Sequence, residues 1–236
     1  MSFHVIHLQN APIYEQLLLE ETLLHSDTRN WCMISQGSPP SIVLGISGKK
    51  HELVDCAAAK KRGIPLVKRF SGGGTVVVDE ATLFITFICQ KSFHTFPAFP
   101  EPILRWGEEM YKDLLPHPEF ALRENDFVIG HKKCGGNAQY IKKERWLLHT
   151  SFLWDYSSAH MDLLLMPKKT PVYRAGRKHS DFLCRLKDFF PSKEELIQNF
   201  LRTLSTQYEL VYHSFEEVRS FLTPGSRIAT ELLTTP

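Results

Sequence analysis

The chain has 236 residues, 43% of them hydrophobic and 23% charged, and a formal net charge of +2. This is an ordinary globular composition, long enough to bury a core without staples, and its charge is too mild to argue for a nucleic-acid partner. No run approaches the ~20 apolar residues of a membrane span.

MSFHVIHLQNAPIYEQ, at the N-terminus, lacks the basic start and unbroken apolar segment of a signal peptide. APIYEQLLLEETLLHS predicts an amphipathic helix, with Leu17, Leu18, Leu19, Leu23 and Leu24 on its apolar side and Pro12 in its first turn. NWCMISQ and SIVLGI read as short strands around the turn Gly37-Ser38-Pro39-Pro40. ELVDCAAAKKRG reads as one helix closed by Gly63 after a basic last turn. IPLVKRF is a strand, and TVVVDEATLFITFICQ is two strands joined near Asp79-Glu80-Ala81. Val76 and Val78, then Leu83, Ile85 and Phe87, fall at every second position, with core packing the expected role of each.

A proline-rich loop follows, then the helix EPILRWGEEMYKDLLPH. From FALRENDFVIG to FLWDY, extended segments alternate with turns at Gly130 to Lys132 and Ile141 to Glu144. SKEELIQNFLRTLSTQY opens on a capping box, Ser192 with Glu195, and ELVYHSF reads as a final strand. Neighbouring strands that look hairpin-linked favour an α+β fold with a mixed, largely antiparallel sheet and flanking helices. No repeat or linker divides the chain, so residues 1–236 are expected to form a single catalytic domain without a separate C-terminal accessory domain. The five cysteines are odd in number and contain no CxxC pair, which excludes a disulfide framework and fits a reducing, cytoplasmic location.

Two stretches carry the chemistry. In KRFSGGGTVVVD, Gly72, Gly73 and Gly74 follow a basic pair. Successive backbone N–H groups of a tight glycine turn can cradle an anion, and Arg69 would add a bidentate cationic fork. A turn or bulge between two strands is the other reading and stays open. The loop lacks the GK[ST] of a Walker loop and the spacing of a dinucleotide loop. NDFVIGHKKCGGNAQ repeats the theme: Lys133 stands before the pair Gly135-Gly136, after a segment beginning with Asp126. Two glycine-rich turns, each beside a cation, suggest one anionic ligand held from two sides.

Together with LLHTSFLWD, these stretches resemble the lipoate–protein ligase family of the biotin/lipoate ligase superfamily, from about the first helix to RAGRKHSDFLCRL. The resemblance implies a class II synthetase/biotin-ligase-like catalytic domain. It implies ATP-dependent activation of lipoate to lipoyl-AMP, with Mg2+, and transfer of the acyl group to a lysine of lipoyl domains of 2-oxoacid dehydrogenase complexes or of glycine cleavage H protein. By the same resemblance, Lys133 contacts the carbonyl and phosphate oxygens as the catalytic residue. Arg69, Ser71, Gly72, Gly73 and Gly74 form the loop beside the acyl chain and phosphate, with Val76 nearby. Asp79 closes that motif, and Asp126 is the carboxylate near metal and phosphates. Gly136 and Ala138 let the second turn approach the ligand, and His149 and Thr150 line the binding site.

The sequence departs from the family pattern in three places. Lys68 stands where the family often has a further arginine, Ile46 stands where many ligases carry an arginine after a glycine, and Thr82 replaces a usual asparagine. Lys49 or Lys50 is then the expected substitute phosphate contact. An ATP-independent octanoyl or lipoyl transferase of the same fold is the rival reading, with Cys134 as its only nearby thiol; a neighbouring cation can lower a thiol's pKa, but a structural role is expected for Cys134. A non-catalytic lipoate or lipoyl-domain binder is the third.

Overall fold

The computed structural model describes residues 1–168, 170–221 and 228–233. In chain order the elements are β1 Ser2–Gln9, α1 Ile13–Ser26, β2 Trp31–Gln36, β3 Ser41–Leu44, α2 Lys50–Leu53, α3 Cys56–Lys61, β4 Leu66–Lys68, β5 Val76–Val78 and β6 Thr82–Gln90. Then come α4 Pro100–Lys112, β7 Phe120–Arg123, β8 Asp126–Ile129, β9 Lys132–Ile141, β10 Arg145–Leu153, α5 Ser158–Met161 and α6 His179–Phe182. The last are α7 Lys193–Gln207, β11 Glu209–His213, α8 Phe215–Arg219 and β12 Glu231–Leu233.

Eight strands form one sheet in the order β11-β1-β2-β6-β10-β9-β8-β7, and four form a second in the order β12-β4-β3-β5. In the large sheet β1 runs parallel to both its neighbours, whereas β2 through β7 pair antiparallel. The expected α+β class with a mixed, largely antiparallel sheet is what forms.

Two expectations are corrected. β5 and β6 do not make a hairpin: β5 pairs with β3 in the small sheet, while β6 lies between β2 and β10 in the large one. The turn at Asp79 therefore passes the chain from one sheet to the other. The single helix expected from ELVDCAAAKKRG is two. Val54 leaves the helix to bridge Leu164, and Asp55 restarts it by accepting the Ala58 N–H at 2.9 Å. A tertiary β-bridge overrides local helix propensity here.

Helix α1 sits between the sheets. Leu19, Leu23 and Leu24 pack on Ile6, Trp31 and Leu147 of the large sheet, while Ile13 and Leu17 meet Val43 and Val78 of the small one. Each fully buried leucine contributes roughly 1.5–3 kcal/mol. The helix is buried nearly all round, because Glu21 also turns inward to accept the N–H groups of Ala229 and Thr230. On the opposite face of the large sheet, Leu83, Ile85 and Phe87 enter the core with α4 and α7, as alternation predicts. Ser192 caps α7 by accepting the Glu195 N–H at 3.1 Å. Among the described residues, no helix is long and apolar enough to cross a membrane.

Phe200 of α7 is 1% exposed and packs on Phe87 and Tyr111, with ring centroids 6.2 and 6.3 Å away. Phe200→Ala is expected to cost about 3–5 kcal/mol and to lower the thermal unfolding midpoint by roughly 10 °C, read by circular dichroism.

Candidate functional site

A cavity of about 750 Å3 opens between the small sheet with α1 and the β9–β10 part of the large sheet. One set of lining groups is apolar: Ile13 and Leu17 from α1, Val43 from β3, and Val76 and Val78 from β5. Another is polar and charged: Asp126, Lys133 and Arg174, with the His179 imidazole beside them. The glycine loop contributes Gly73 and Gly74, and β9 contributes Gly136, Asn137 and Ala138.

The glycine loop is braced from inside. Arg69 is 4% exposed; its Nη2 donates to the carbonyls of Gly72 at 3.0 Å and Gly74 at 2.8 Å, and its Nε to Gly72 at 3.3 Å. Burial pulls this guanidinium down to about 10, which leaves it charged at neutral pH. Arg69 lines the cavity, and two of its nitrogens shape the loop that the ligand would meet. Gly73 carries the strained turn, with φ +111°, and a Cβ there would stand 2.7 Å from Arg69 Nη2 and 2.8 Å from the Asn137 carbonyl. Gly45 makes the matching approach, its Cβ direction lying 2.3 Å from the Gly73 carbonyl. Gly74 borders the cavity with open space at its Cβ direction.

Lys133 and Asp126 come from paired strands. The β8–β9 register slips between Phe127 and Val128, so Lys133 pairs with Val128 and Gly135 with Phe127. Cys134 is the extra residue of this bulge, and a bulge re-aims the side chains beside it. Lys133 Nζ lies 2.7 Å from Asp126 Oδ1, and the Tyr173 hydroxyl donates to Asp126 Oδ2 at 2.8 Å. Burial and the Asp126 carboxylate push the Tyr173 phenol up, so it stays a donor.

The consecutive glycines of β9 face opposite ways. A Cβ on Gly135 would meet the Phe152 ring in the core at 2.8 Å, whereas one on Gly136 would meet Lys133 Nζ at 3.1 Å and Cε at 3.3 Å. Gly136 therefore makes room for the Lys133 side chain while also lining the cavity.

Other expected site residues divide between the cavity and its frame. Val76, Ala138 and His149 line the cavity; Ser71, Gly72, Asp79 and Thr150 do not. Ser71 is buried and its carbonyl accepts the Ile46 N–H. Gly72 donates its N–H to the Gln139 carbonyl. Asp79 accepts the Ala81 N–H and the Thr82 hydroxyl, closing the turn between the sheets. Thr150 accepts from Tyr111 and donates to Asn137 Oδ1. These four are framework: Gly72, Asp79 and Thr150 spend polar groups on the chain itself, while the buried Ser71 Oγ has no hydrogen-bond partner among the described residues.

Sequence reasoning missed two groups. Glu20 of α1 is 2% exposed and accepts from Thr86 Oγ1 at 2.7 Å and from His149 Nδ1 at 2.8 Å. It stands among leucines in the sequence, and no local pattern distinguishes it from a solvated helix glutamate. Arg174 is 5% exposed, its guanidinium lies 4.8 Å from the centre of the Phe182 ring, and its Nη2 is buried without a partner. Burial lowers its pKa. Burial, then Arg174, then Lys133 hold His179 below its ordinary value. RAGRKHSDF is polar and lies far along the chain from the glycine motifs, so only the fold shows that it reaches the cavity.

Lys49, an expected substitute phosphate contact, pairs with Glu52 at 3.4 Å and is not part of the cavity wall, nor is Lys50. No cysteine lines the cavity. Cys134 is fully buried, and burial pushes its thiol well up, so it does not present a thiolate there.

The Lipoyl protein ligase A/B catalytic domain model matches residues 12–207. Among curated relatives, Inactive lipoate–protein ligase 2 of Plasmodium falciparum is 27% identical over 245 residues, covering 78% of this chain and 63% of that protein. Lipoate-protein ligase LplJ of Bacillus subtilis is 30% identical over 172 residues, covering 72% of this chain and 50% of that protein. The chain thus spans about half to two thirds of the length of these relatives. Among solved structures, lipoate-protein ligase A bound with ATP superposes with a TM-score of 0.77 at 19% identity, covering 94% of this chain and 93% of that one. A bi-partite lipoate protein ligase from Thermoplasma acidophilum, studied with its E2 lipoyl domain, gives 0.76 at 18% identity, covering 94% and 91%. At that identity the likeness establishes the fold. With a family match that spans most of the chain, this protein belongs to the lipoyl protein ligase A/B catalytic domain family.

Proposed function

We propose that this chain is the catalytic unit of an ATP-dependent lipoate–protein ligase. The observation that carries the reading is the position of Lys133, which links an apolar cavity wall to a charged one. From Lys133 to Ala138, which pairs with His149, β9 runs roughly 15 Å at ~3.3 Å per residue. A long apolar chain ending in a carboxylate fits that span, with its tail toward His149 and its head at Lys133.

The chemistry asks for positioning and charge. A carboxylate oxygen of lipoate attacks the α-phosphorus of ATP, pyrophosphate leaves, and a mixed anhydride forms. The two reactants are both anions and repel each other, so a cation between them lowers the barrier. Lys133 supplies it by exchanging Asp126 for the substrate oxygens. Arg174, with an unspent buried Nη2, is the second cation for the phosphates. The amine of a target lysine on a lipoyl domain then attacks the activated carbonyl and AMP leaves, again with Lys133 offsetting the charge that develops on oxygen.

Mg2+ would be held through Asp126, with phosphate and water oxygens completing its shell, since this ion binds through one or two carboxylates plus substrate phosphates. Among the described residues no group of three or more His, Cys, Asp or Glu stands ready to hold a metal. The ion's chemistry when bound would be to neutralise phosphate charge. The expected cytoplasmic site of action and lipoyl-domain partner belong to this proposal too. The buried Cys134 and a cavity wall without cysteine weigh against a thioester transferase.

Lys133→Ala is expected to keep the fold and to reduce lipoate-dependent pyrophosphate release at least ~100-fold. Normal turnover by a folded variant would remove Lys133 from the role assigned here. The glycine loop gives an independent check by calorimetric lipoate binding. Gly74→Ala, with open space at its Cβ direction, should leave the melting temperature unchanged and weaken binding, because the ligand passes there. Gly73→Ala should lower both, as its strained φ costs about 1–3 kcal/mol. Wild-type affinity in Gly74→Ala would show that the ligand does not approach the loop.

A further inference from the structure

The chain segment that follows the Arg174 region returns to β9 beside Lys133. Leu183 bridges Lys133 in parallel register, and the Cys184 N–H donates to the Lys133 carbonyl at 2.9 Å. One residue further on, this register sets Cys184 opposite Cys134. Neighbouring strands lie ~4.8 Å apart, inside the ~4.4–6.8 Å Cα separation that a disulfide spans. Both side chains enter the same buried cluster, where each thiol shifts the ionisation of the other. Cys184 Sγ also points at the carbonyls of Lys132 and Lys133, at 3.6 and 3.7 Å.

We propose that Cys134 and Cys184 are a reversible dithiol–disulfide pair that, when oxidised, covalently ties the Arg174-bearing segment to β9 next to Lys133. The two cysteines differ in the way such a pair requires. Cys184 is 7% exposed, and the neighbouring Cys134 thiol, with help from a backbone hydrogen bond and Lys132, holds the Cys184 thiol below the ordinary value against the effect of burial. Cys134 is wholly buried and its thiol is pushed up. Cys184 is thus the attacking sulfur and Cys134 the resolving one.

The oxidant is a small hydroperoxide. The Cys184 thiolate attacks one peroxide oxygen, the O–O bond breaks, and water leaves after protonation, with a sulfenic acid on Cys184. Cys134 sulfur then attacks the sulfenyl sulfur, the S–S bond forms, and the second water carries away the hydroxyl and the Cys134 proton. Two thiols and one hydrogen peroxide give one disulfide and two waters. Other polar ties of the segment to β8 and the turns on either side of it are non-covalent: Tyr173 hydroxyl to Asp126, Tyr173 N–H to Glu124 Oε1, and Arg177 Nη1 to the His131 carbonyl. A disulfide adds the one bond that does not exchange with solvent.

The experiment uses the whole reduced protein without lipoate or nucleotide, so it stands apart from the ligase reading. A pulse of hydrogen peroxide is quenched, the protein is denatured in N-ethylmaleimide, and intact mass and an unreduced digest are recorded. The expected product carries two fewer maleimides than the reduced protein, with its five cysteines, and yields a peptide joining Cys134 to Cys184 that dithiothreitol releases. Cys184→Ser should abolish it; the wild-type digest decides the case even where that variant does not fold. Hydrogen exchange over residues 172–184 should slow in the oxidised form. Full alkylation of all cysteines, a different linkage, or irreversible oxidation of Cys184 alone would overturn the pair. A cross-link that left exchange in that segment unchanged would overturn its role as a tie.

Discussion

A cation withdrawn from water organises this site. Arg69 is buried to 4% exposure, and no carboxylate is hydrogen-bonded to it. A desolvated guanidinium is tolerable only if its donors find acceptors, and here the acceptors are backbone carbonyls two residues apart, on Gly72 and Gly74. To present both to one nitrogen, the chain must curl back at Gly73 into a conformation that side chains resist. The curl also carries Gly73 against the carbonyl of Asn137 on β9 and brings its own carbonyl against Gly45 at the end of β3. Three segments distant in sequence are thereby fixed around one charge, and the small sheet is registered against the large one at the mouth of the cavity.

Lys133 is held by the reverse arrangement, an ion pair that can be exchanged. Its partner Asp126 is mostly buried and keeps a second hydrogen bond from Tyr173. Removing one member of such a pair leaves an uncompensated buried charge, at a cost of about 3–5 kcal/mol. Swapping that partner for another anion at the same place keeps Lys133 paired and leaves Tyr173 on Asp126. A pair of this kind keeps the cation poised in the resting chain and hands it to an arriving carboxylate or phosphate.

Much of the fold was legible because the large elements follow local rules. The leucines of α1, the Ser192 cap of α7 and the alternation of β6 all report their structure directly. What was not legible depends on partners remote in sequence. Asp79-Glu80-Ala81 reads as a hairpin turn, and only sheet pairing shows that it connects two sheets. Val54 reads as helix until Leu164 is there to bridge it. The site divides in the same way. Lys133, Asp126 and the glycine loop are marked by motif, whereas Glu20 and Arg174 acquire meaning only where the chain buries them. Even within the motifs, residue type did not reveal role: Arg69 and Asp79 hold backbone, Gly135 clears the core, and Gly136 clears Lys133.

The two cations of the cavity, Lys133 and Arg174, also differ in how they are held. Lys133 sits on a strand, paired with Val128 of β8 on one side and bridged to Leu183 on the other, and charge stabilisation on a developing oxyanion is effective only from such a pre-set position. Arg174 sits in a 3-10 turn followed by Ala175 in the left-handed region, and its segment reaches the sheet through single hydrogen bonds and one isolated bridge. On the ligase reading, this places the fixed charge at the carbonyl carbon, which both half-reactions share, and the more lightly tethered charge at the phosphates, which differ between nucleotide, adenylate and AMP. A rigid contact suits the group that stays, and an adjustable one suits the group that leaves. The thiol pair at the end of the Arg174 segment stands where a covalent bond would remove that difference.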